Sequence, residues 1–141
     1  MQSILYRKLG LVLALVIGLL AGCADVPTIS DEEAVRQRVQ ARWAAIIDND
    51  WDQVYEFTTP AYRAAYSKKH FFNRYGGQIA REAFEIQKIE FEDPEHTTAK
   101  VRGTLHFSTS GVGPEGIYRG TQLVDETWVK VDGQWWHVER R

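Results

Sequence analysis

The chain has 141 residues with 17 basic and 19 acidic side chains, so its formal net charge is −2. This slightly acidic balance argues against a nucleic-acid-binding protein, which normally presents a basic face. A single cysteine excludes an intrachain disulfide, and the length suits one modest domain with one hydrophobic core.

The chain begins with a short apolar stretch. Arg7 and Lys8 precede the run LGLVLALVIGLLAG, which ends in the small residues Ala21 and Gly22. The run is shorter than the roughly 18 to 20 apolar residues that cross a bilayer. A basic start, a short apolar middle and a small-residue end are typical of a cleaved signal peptide, so we expect one at residues 1–22. Without its two basic residues the chain carries a formal charge of −4.

Cys23 follows this stretch directly and leaves three interpretations. An odd cysteine in an exported protein can form an intermolecular disulfide, whereas a catalytic thiol needs a structured pocket that the start of a mature chain does not offer. The third interpretation is lipidation, because LAGC at residues 20–23 resembles the bacterial lipobox. That resemblance implies a diacylglyceryl group on the thiol, cleavage before Cys23 and acylation of the new amine, for example by palmitate. Two or three acyl chains anchor a protein firmly.

The seven residues after Cys23 form a short tether. ADVPTIS spans at most about 25 Å, so we expect the folded domain to lie close to the membrane surface. By resemblance to lipoprotein sorting, Ala24 favours the outer over the inner membrane. We therefore expect residues 23–30 to be the lipidated cysteine and its tether, on the periplasmic side of the cell envelope.

The first half of the remaining domain, residues 31–141, is predicted to be helical. Ser30 and Glu33 match a capping box at the start of a long helix. Apolar residues then recur at helical spacing and form one stripe: Val35, Val39, Trp43, Ile46 and Ile47. The polar residues Arg36, Arg38, Gln40 and Arg42 are expected to lie mostly off this stripe.

Three shorter helices are predicted to follow. Asp50 caps the first, and Thr59 caps the second with Pro60 in the first helical position, where a missing N–H costs nothing. The third lies in SKKHFFNRYGG and is expected to end at Gly76 and Gly77. In the long helix, Trp43 should pack on the sheet near Val129 or Trp136.

The second half is predicted to form antiparallel strands. Asp132 and Gly133 between two alternating segments indicate a tight hairpin turn, which pairs Val129 with Trp136 and places Trp128 opposite His137. An earlier hairpin pairs Phe91 with Ala99 and Ile89 with Val101. Phe84 and Ile86 are out of phase with that pairing, so we expect a β-bulge near Gln87 and Lys88.

The last hairpin also predicts two sheet faces. One face carries Leu123, Asp125, Thr127, Val129, Val131, Trp136 and Val138. The other carries Val124, Glu126, Trp128, Lys130, Trp135 and His137. The first face is the more apolar by count, so we expect it to cover the core.

Helices followed by a bent antiparallel sheet predict an α+β fold. The stretches WAAIIDNDWDQVYEFTTPAYR and YRGTQLVDETWVKVDGQWWHVER resemble the helix pair and last strands of the nuclear transport factor 2-like family. The resemblance implies a cystatin-like cone, with helices packed on a curved sheet of about four strands. The family includes isomerases, dehydratases and ligand-binding domains, so its fold does not decide function.

Such a cone often holds a pocket between the helices and the sheet. Asp125 is the one acid on the expected inner face, where burial would raise its pKa and suit it to acid–base catalysis. Tyr55, Tyr62, Tyr66 and Trp136 are the other candidate pocket residues. Asp125 has no placed partner, so the favoured interpretation is that it is solvated or bonded to backbone near a strand edge and that the aromatic residues fill the core.

No metal or cofactor site is predicted. The histidines His70, His96, His106 and His137 lack the spacing of metal-ligand motifs. The glycine-rich GVGPEG at residues 111–116 lacks the lysine and following helix of a phosphate loop, so we expect a hairpin loop there.

Two classes of function remain. The favoured class is a non-catalytic lipoprotein domain that binds a small apolar ligand or an envelope protein, and the alternative is an isomerase- or dehydratase-type enzyme. Polar side chains converging on one cavity would favour the enzyme, whereas a filled cone would favour a partner-binding role. Trp128, Trp135 and His137 are expected to cluster on the outer sheet face as an interface for a homodimer or an envelope partner.

Overall fold

Four helices precede a four-stranded antiparallel sheet in the computed structural model, which describes residues 29–74, 79–111 and 116–140. The helices are α1 (Asp31–Ile47), α2 (Trp51–Glu56), α3 (Pro60–Ala65) and α4 (Lys68–Phe72). The strands are β1 (Ile79–Phe91), β2 (Thr98–Ser110), β3 (Ile117–Val131) and β4 (Gln134–His137), in the spatial order β1-β2-β3-β4. The α+β fold predicted from the sequence is confirmed, and its element order is the one that the family resemblance implies.

Side-chain caps begin each of the four helices. The backbone N–H of Glu33 donates to the Ser30 hydroxyl at 3.2 Å, and Asp50, Thr59 and Ser67 accept equivalent bonds at the starts of α2, α3 and α4. These oxygens satisfy N–H groups that have no partner within a helix. The predicted caps are therefore confirmed, whereas Gly76 and Gly77, the predicted end of the last helix, lie outside the described residues.

The hairpin registers agree with those predicted from the turns. Trp128 lies opposite His137, Val129 lies opposite Trp136, and Asp132 and Gly133 both have positive φ, as a tight two-residue turn requires. In the first hairpin Phe91 pairs with Ala99.

The first strand is irregular where a bulge was predicted. A register shift separates Ile86 from Lys88, and a second one separates Arg81 from Ala83. An extra residue on one strand bends it. The bends leave Phe84 and Ile86 packed against the core beneath α1.

Trp43 anchors α1 to the sheet, but on a different strand from the one predicted. Its ring is 6% exposed and stacks on Phe84 of β1, with centroids 4.0 Å apart and planes 8° from parallel. The prediction of a buried Trp43 is confirmed, whereas its expected position near Val129 or Trp136 is wrong. The opposite strand makes room for this stack at Gly103, where a Cβ would overlap the Phe84 ring and approach the Glu85 carbonyl oxygen to 2.7 Å.

The two faces of the last hairpin are the reverse of those predicted. Trp128 and Trp135 are fully buried, and Glu126 and His137 lie in the core beside them. Leu123, by contrast, is 63% exposed on the opposite face. Counting apolar residues on each face identified the wrong inner face, because the true inner face holds charged groups that are paired with a helix side chain. Buried charges need such partners, and a single strand does not show them.

The N-terminal 28 residues, including the predicted signal peptide and Cys23, lie outside the described part of the chain. Among the helices that are described, none is long and apolar enough to span a membrane.

Candidate functional site

A cavity of about 530 Å³ lies between the C-terminal half of α1 and the inner face of the sheet. This volume is within the range of small-molecule sites in proteins. Its apolar wall comes from α1 and from β1, β2, β3 and the chain after β4: Trp43, Ile46, Ile79, Leu105, Val124 and Val138. Its polar lining has more residues and consists of a buried group of charged side chains together with Arg74, Arg81, Gln122, Asp125, Thr127 and Arg140.

The buried charged cluster consists of Arg42, Glu126, His137 and Glu139. Arg42 Nη1 donates to Glu126 Oε1 at 2.8 Å, and Arg42 Nη2 lies 3.4 Å from Glu139 Oε1. The side chains of Arg42, Glu126 and Glu139 are each only 4% exposed. Because charges removed from water need partners, these contacts hold α1 against β3 and the chain after β4.

Two periodicities in the sequence place three of these four groups together. Arg42 lies three residues after Val39 and four before Ile46, so it falls on the buried stripe of α1. Glu126 alternates onto the face of Trp128, and the hairpin register sets His137 opposite Trp128. Arg42 was expected to lie off the apolar stripe, and this is wrong because its helical position is on the buried face. The helical spacing itself was the signal that could have shown this.

Both oxygens of Glu126 are engaged. Oε1 accepts from Arg42, and Oε2 accepts from the indole N–H of Trp128 at 3.0 Å. These two bonds fix the orientation of the Glu126 carboxylate and anchor it to Arg42.

His137 is a titratable group of the cluster whose pKa is shifted by its surroundings. Its Nδ1 lies 3.0 Å from Glu139 Oε1, and its Nε2 lies 3.9 Å from Glu126 Oε1, beyond hydrogen-bond distance. Burial lowers the pKa of His137 and the nearby Arg42 cation lowers it further, while the two carboxylates oppose these effects. The neutral form of the imidazole is thus favoured. The backbone N–H of His137 donates to the Phe57 carbonyl, which fixes the position of the residue.

Asp125, the predicted acid of the pocket, has its carboxylate on the other face of the sheet. Arg102, its cross-strand neighbour, donates to both carboxylate oxygens at 2.7 and 3.3 Å. The Arg102 hydrogen bond holds the pKa of Asp125 below its usual value, the opposite of the expected rise. Asp125 touches the cavity edge, where its backbone carbonyl accepts from Arg140, but its carboxylate is half-exposed, so the inward-facing assignment is wrong.

The three candidate tyrosines pack among the short helices and are absent from the cavity lining. Tyr55 is buried, and its hydroxyl donates to the Tyr66 carbonyl at 2.7 Å. Tyr62 lies against Tyr66 and Phe71, and burial raises the pKa of its hydroxyl. These contacts assign the tyrosines to helix packing.

Trp136, the remaining pocket candidate, lies between two arginines outside the cavity. The guanidinium carbon of Arg63 is 4.7 Å from its ring centroid and that of Arg38 is 5.3 Å away. Cations favour the face of an indole ring, so this contact joins β4 to α1 and α3.

The three predicted interface residues are core residues. Trp128 and Trp135 are 0% and 2% exposed, and His137 belongs to the buried cluster. The prediction of an exposed contact surface at these positions is therefore wrong, for the same reason that the sheet faces were reversed. The three other described histidines lie elsewhere: His70 stacks on Tyr66, His96 stacks on Phe91, and His106 lies 3.5 Å from Glu85.

Within the described ranges, no group of three or more histidine, aspartate or glutamate side chains has the geometry to hold a metal ion. The buried cluster contains an arginine bonded to both carboxylates, so its oxygens are already committed to a cation.

Comparisons with known proteins give structural likenesses at low sequence identity. No protein-family model matches the chain. No curated protein matches it either. Among solved structures, a "putative polyketide cyclase" from Xanthomonas campestris pv. campestris is 16% identical, with a TM-score of 0.42 over 79% of this chain and 93% of that one. A likeness of this degree carries no conclusion about activity.

Proposed function

We propose that this chain is a lipid-anchored protein of the bacterial envelope whose domain binds a small, largely apolar ligand. The observation that carries this proposal is the cavity of about 530 Å³ beneath α1, which has an apolar wall as well as many polar and charged lining residues. Its volume is that of a small-molecule site, and the apolar wall suits the apolar part of a ligand. An open cavity of this size does not support the filled cone that a purely partner-binding role would favour.

The proposed anchor rests on the sequence around Cys23. The lipobox-like LAGC closes an apolar stretch too short to span a bilayer, and Cys23 is the only cysteine in the chain. Under this proposal the domain lies at the periplasmic surface of a membrane, with Ala24 favouring the outer one. Its short tether keeps the cavity within reach of lipids and other apolar molecules there.

The buried cluster favours binding over catalysis. Glu126 is bonded through both oxygens, and Glu139 contacts both Arg42 and His137. A general acid or base must exchange its proton with a substrate, which these engaged carboxylates are poorly placed to do. We therefore assign the cluster a structural role, as the rigid polar end of a binding cavity.

The experiment is to identify what the intact protein carries. The chain is purified from its own membranes in detergent, and bound small molecules are extracted and measured by mass spectrometry. Val124→Trp, which fills the cavity from β3, should lose a compound that wild type retains in near-stoichiometric amount. Val131→Trp, the same change outside the cavity lining, is the matched control. Equal extracts from all three proteins would contradict a ligand site beneath α1.

A proton-transfer enzyme is the second candidate function. The convergence of four polar side chains on one cavity favours it, and the neutral His137 is the group suited to act as base. Glu139 on Nδ1 would orient the ring and leave Nε2 to accept a proton. Incubation of the extracted compound with the protein in D₂O tests this: carbon-bound deuterium that appears with wild type and not with His137→Gln would establish catalysis. If the compound gains no carbon-bound deuterium, His137 does not act as a base toward it.

A further inference from the structure

The cavity lining carries more basic than acidic side chains. Arg42, Arg74, Arg81 and Arg140 line it, against Asp125, Glu126 and Glu139.

The charged groups around the cavity leave an excess of donors. The carboxylates of Glu126 and Glu139 are bonded to Arg42. The carboxylate of Asp125 is bonded to Arg102 on the far face of the sheet. The acids that border the cavity are therefore already paired with cations.

Two exposed arginines at the cavity are hydrogen-bonded to backbone carbonyls. Arg74 donates to the backbone carbonyl of Arg140, and Arg140 donates to the backbone carbonyl of Asp125 at 2.8 Å. Among the described residues, no carboxylate lies within ion-pair distance of either guanidinium. A guanidinium presents several N–H donors in a plane that matches carboxylate and phosphate oxygens, so both side chains have donors left for an anionic ligand.

We infer that the ligand is an anionic amphiphile, with a carboxylate or phosphate head at Arg74 and Arg140 and an apolar body in the cavity. This inference rests on the proposed function, because it requires that the cavity bind a small molecule. The body lies against Trp43, Leu105 and Val124. A neutral apolar molecule of the same shape fills the same walls but places no negative charge at the two guanidinium groups.

The test compares three probes with one apolar body. 4-Phenylbutyrate, 3-phenylpropyl phosphate and the neutral 4-phenylbutanamide are titrated calorimetrically into the intact chain held in phosphatidylcholine nanodiscs, with empty nanodiscs as the blank. At least one anion should bind about tenfold or more tightly than the amide, because charge-assisted bonds to arginine are roughly twice as strong as neutral ones. The tighter of the two anions identifies the head group as carboxylate or phosphate.

Variants then assign the preference to the two arginines. In Arg74→Gln/Arg140→Gln the anions should bind no more tightly than the amide, while amide binding persists. Arg119→Gln removes an exposed arginine that pairs with Glu82 outside the cavity lining, and should keep the preference. If the amide binds as tightly as both anions to wild type, the inference of an anionic ligand is overturned, whereas the proposed binding of a small, largely apolar ligand is retained. If no probe binds, the proposed function fails together with the inference.

Discussion

Replacing Arg42 by methionine should destabilise the domain strongly. The side chain contributes a charge to the buried cluster, where it bonds to Glu126 at 2.8 Å and lies 3.4 Å from Glu139. Methionine keeps much of the length and apolar stem but leaves two carboxylates, each 4% exposed, without their shared cation. Removing one partner of a buried ion pair typically costs about 3–5 kcal/mol, because the remaining charge stays in a poorly solvating environment.

The size of the effect makes it easy to measure. A domain of this size loses about 1–3 kcal/mol of stability per molar urea, so the loss corresponds to a shift of roughly 2 M in the unfolding midpoint. Unfolding of the intact chain in detergent micelles is followed by tryptophan fluorescence. In Arg42→Met/Glu126→Gln the second change removes one unpaired negative charge, so part of the lost stability should return, and the two effects should not add.

Arg36→Met provides the matched control on the same helix. Arg36 pairs with Glu32 on the solvent side of α1, where ion pairs contribute about 0–1 kcal/mol. Its midpoint should therefore lie close to that of wild type. Equal midpoints for Arg42→Met and Arg36→Met would refute the argument that the cluster holds α1 on the sheet.

Three further predictions concern other parts of the molecule. Cys23→Ser should abolish acylation and release the protein from the membrane fraction; a wild-type mass showing unmodified Cys23 would contradict the anchor. Trp43→Ala removes the buried ring that stacks on Phe84 and should cost about 3–5 kcal/mol in urea unfolding; an unchanged midpoint would show that Trp43 is not a core residue. Burial lowers the pKa of His137 in the folded chain, so as the pH falls the imidazole is protonated in the unfolded chain before it is protonated in the folded chain. The contribution of the neutral imidazole to stability is therefore complete above about pH 6.5 and decreases as the pH falls below that value. His137→Gln should therefore unfold with a weaker dependence on pH below that value, and an identical dependence would show that His137 is not buried in its neutral form.

Local sequence signals predicted much of the fold. A cap at Ser30 or Thr59 depends on residues three positions away, and the turn at Asp132 and Gly133 fixes its register through its own backbone. The irregularity between Ile86 and Lys88 was also visible in the phase of the strand. These features are determined by neighbours along the chain, so the sequence displays them directly.

The candidate site was not predicted, because it depends on contacts across the fold. Glu126 and His137 made the true inner face look polar, and their partner Arg42 lies 84 residues before Glu126. Asp125 looked like a buried acid only because the two faces were exchanged. A charged residue within an apolar helical stripe, as Arg42 is, was the available signal that the facing strand carries opposite charge.

Gly103 has a consequence for how this sequence can change over evolutionary time. Any larger residue there would overlap the Phe84 ring, which supports Trp43, so the three positions form one steric unit across β2, β1 and α1. A Cβ at position 103 would also lie 2.7 Å from the Glu85 carbonyl oxygen, so a smaller residue at position 84 does not by itself admit alanine, and homologues are expected to keep glycine there. Substitutions at positions 84 and 43 should appear together in descendants of a common ancestor, because the two rings stack on each other, whereas exposed positions such as 123 vary independently.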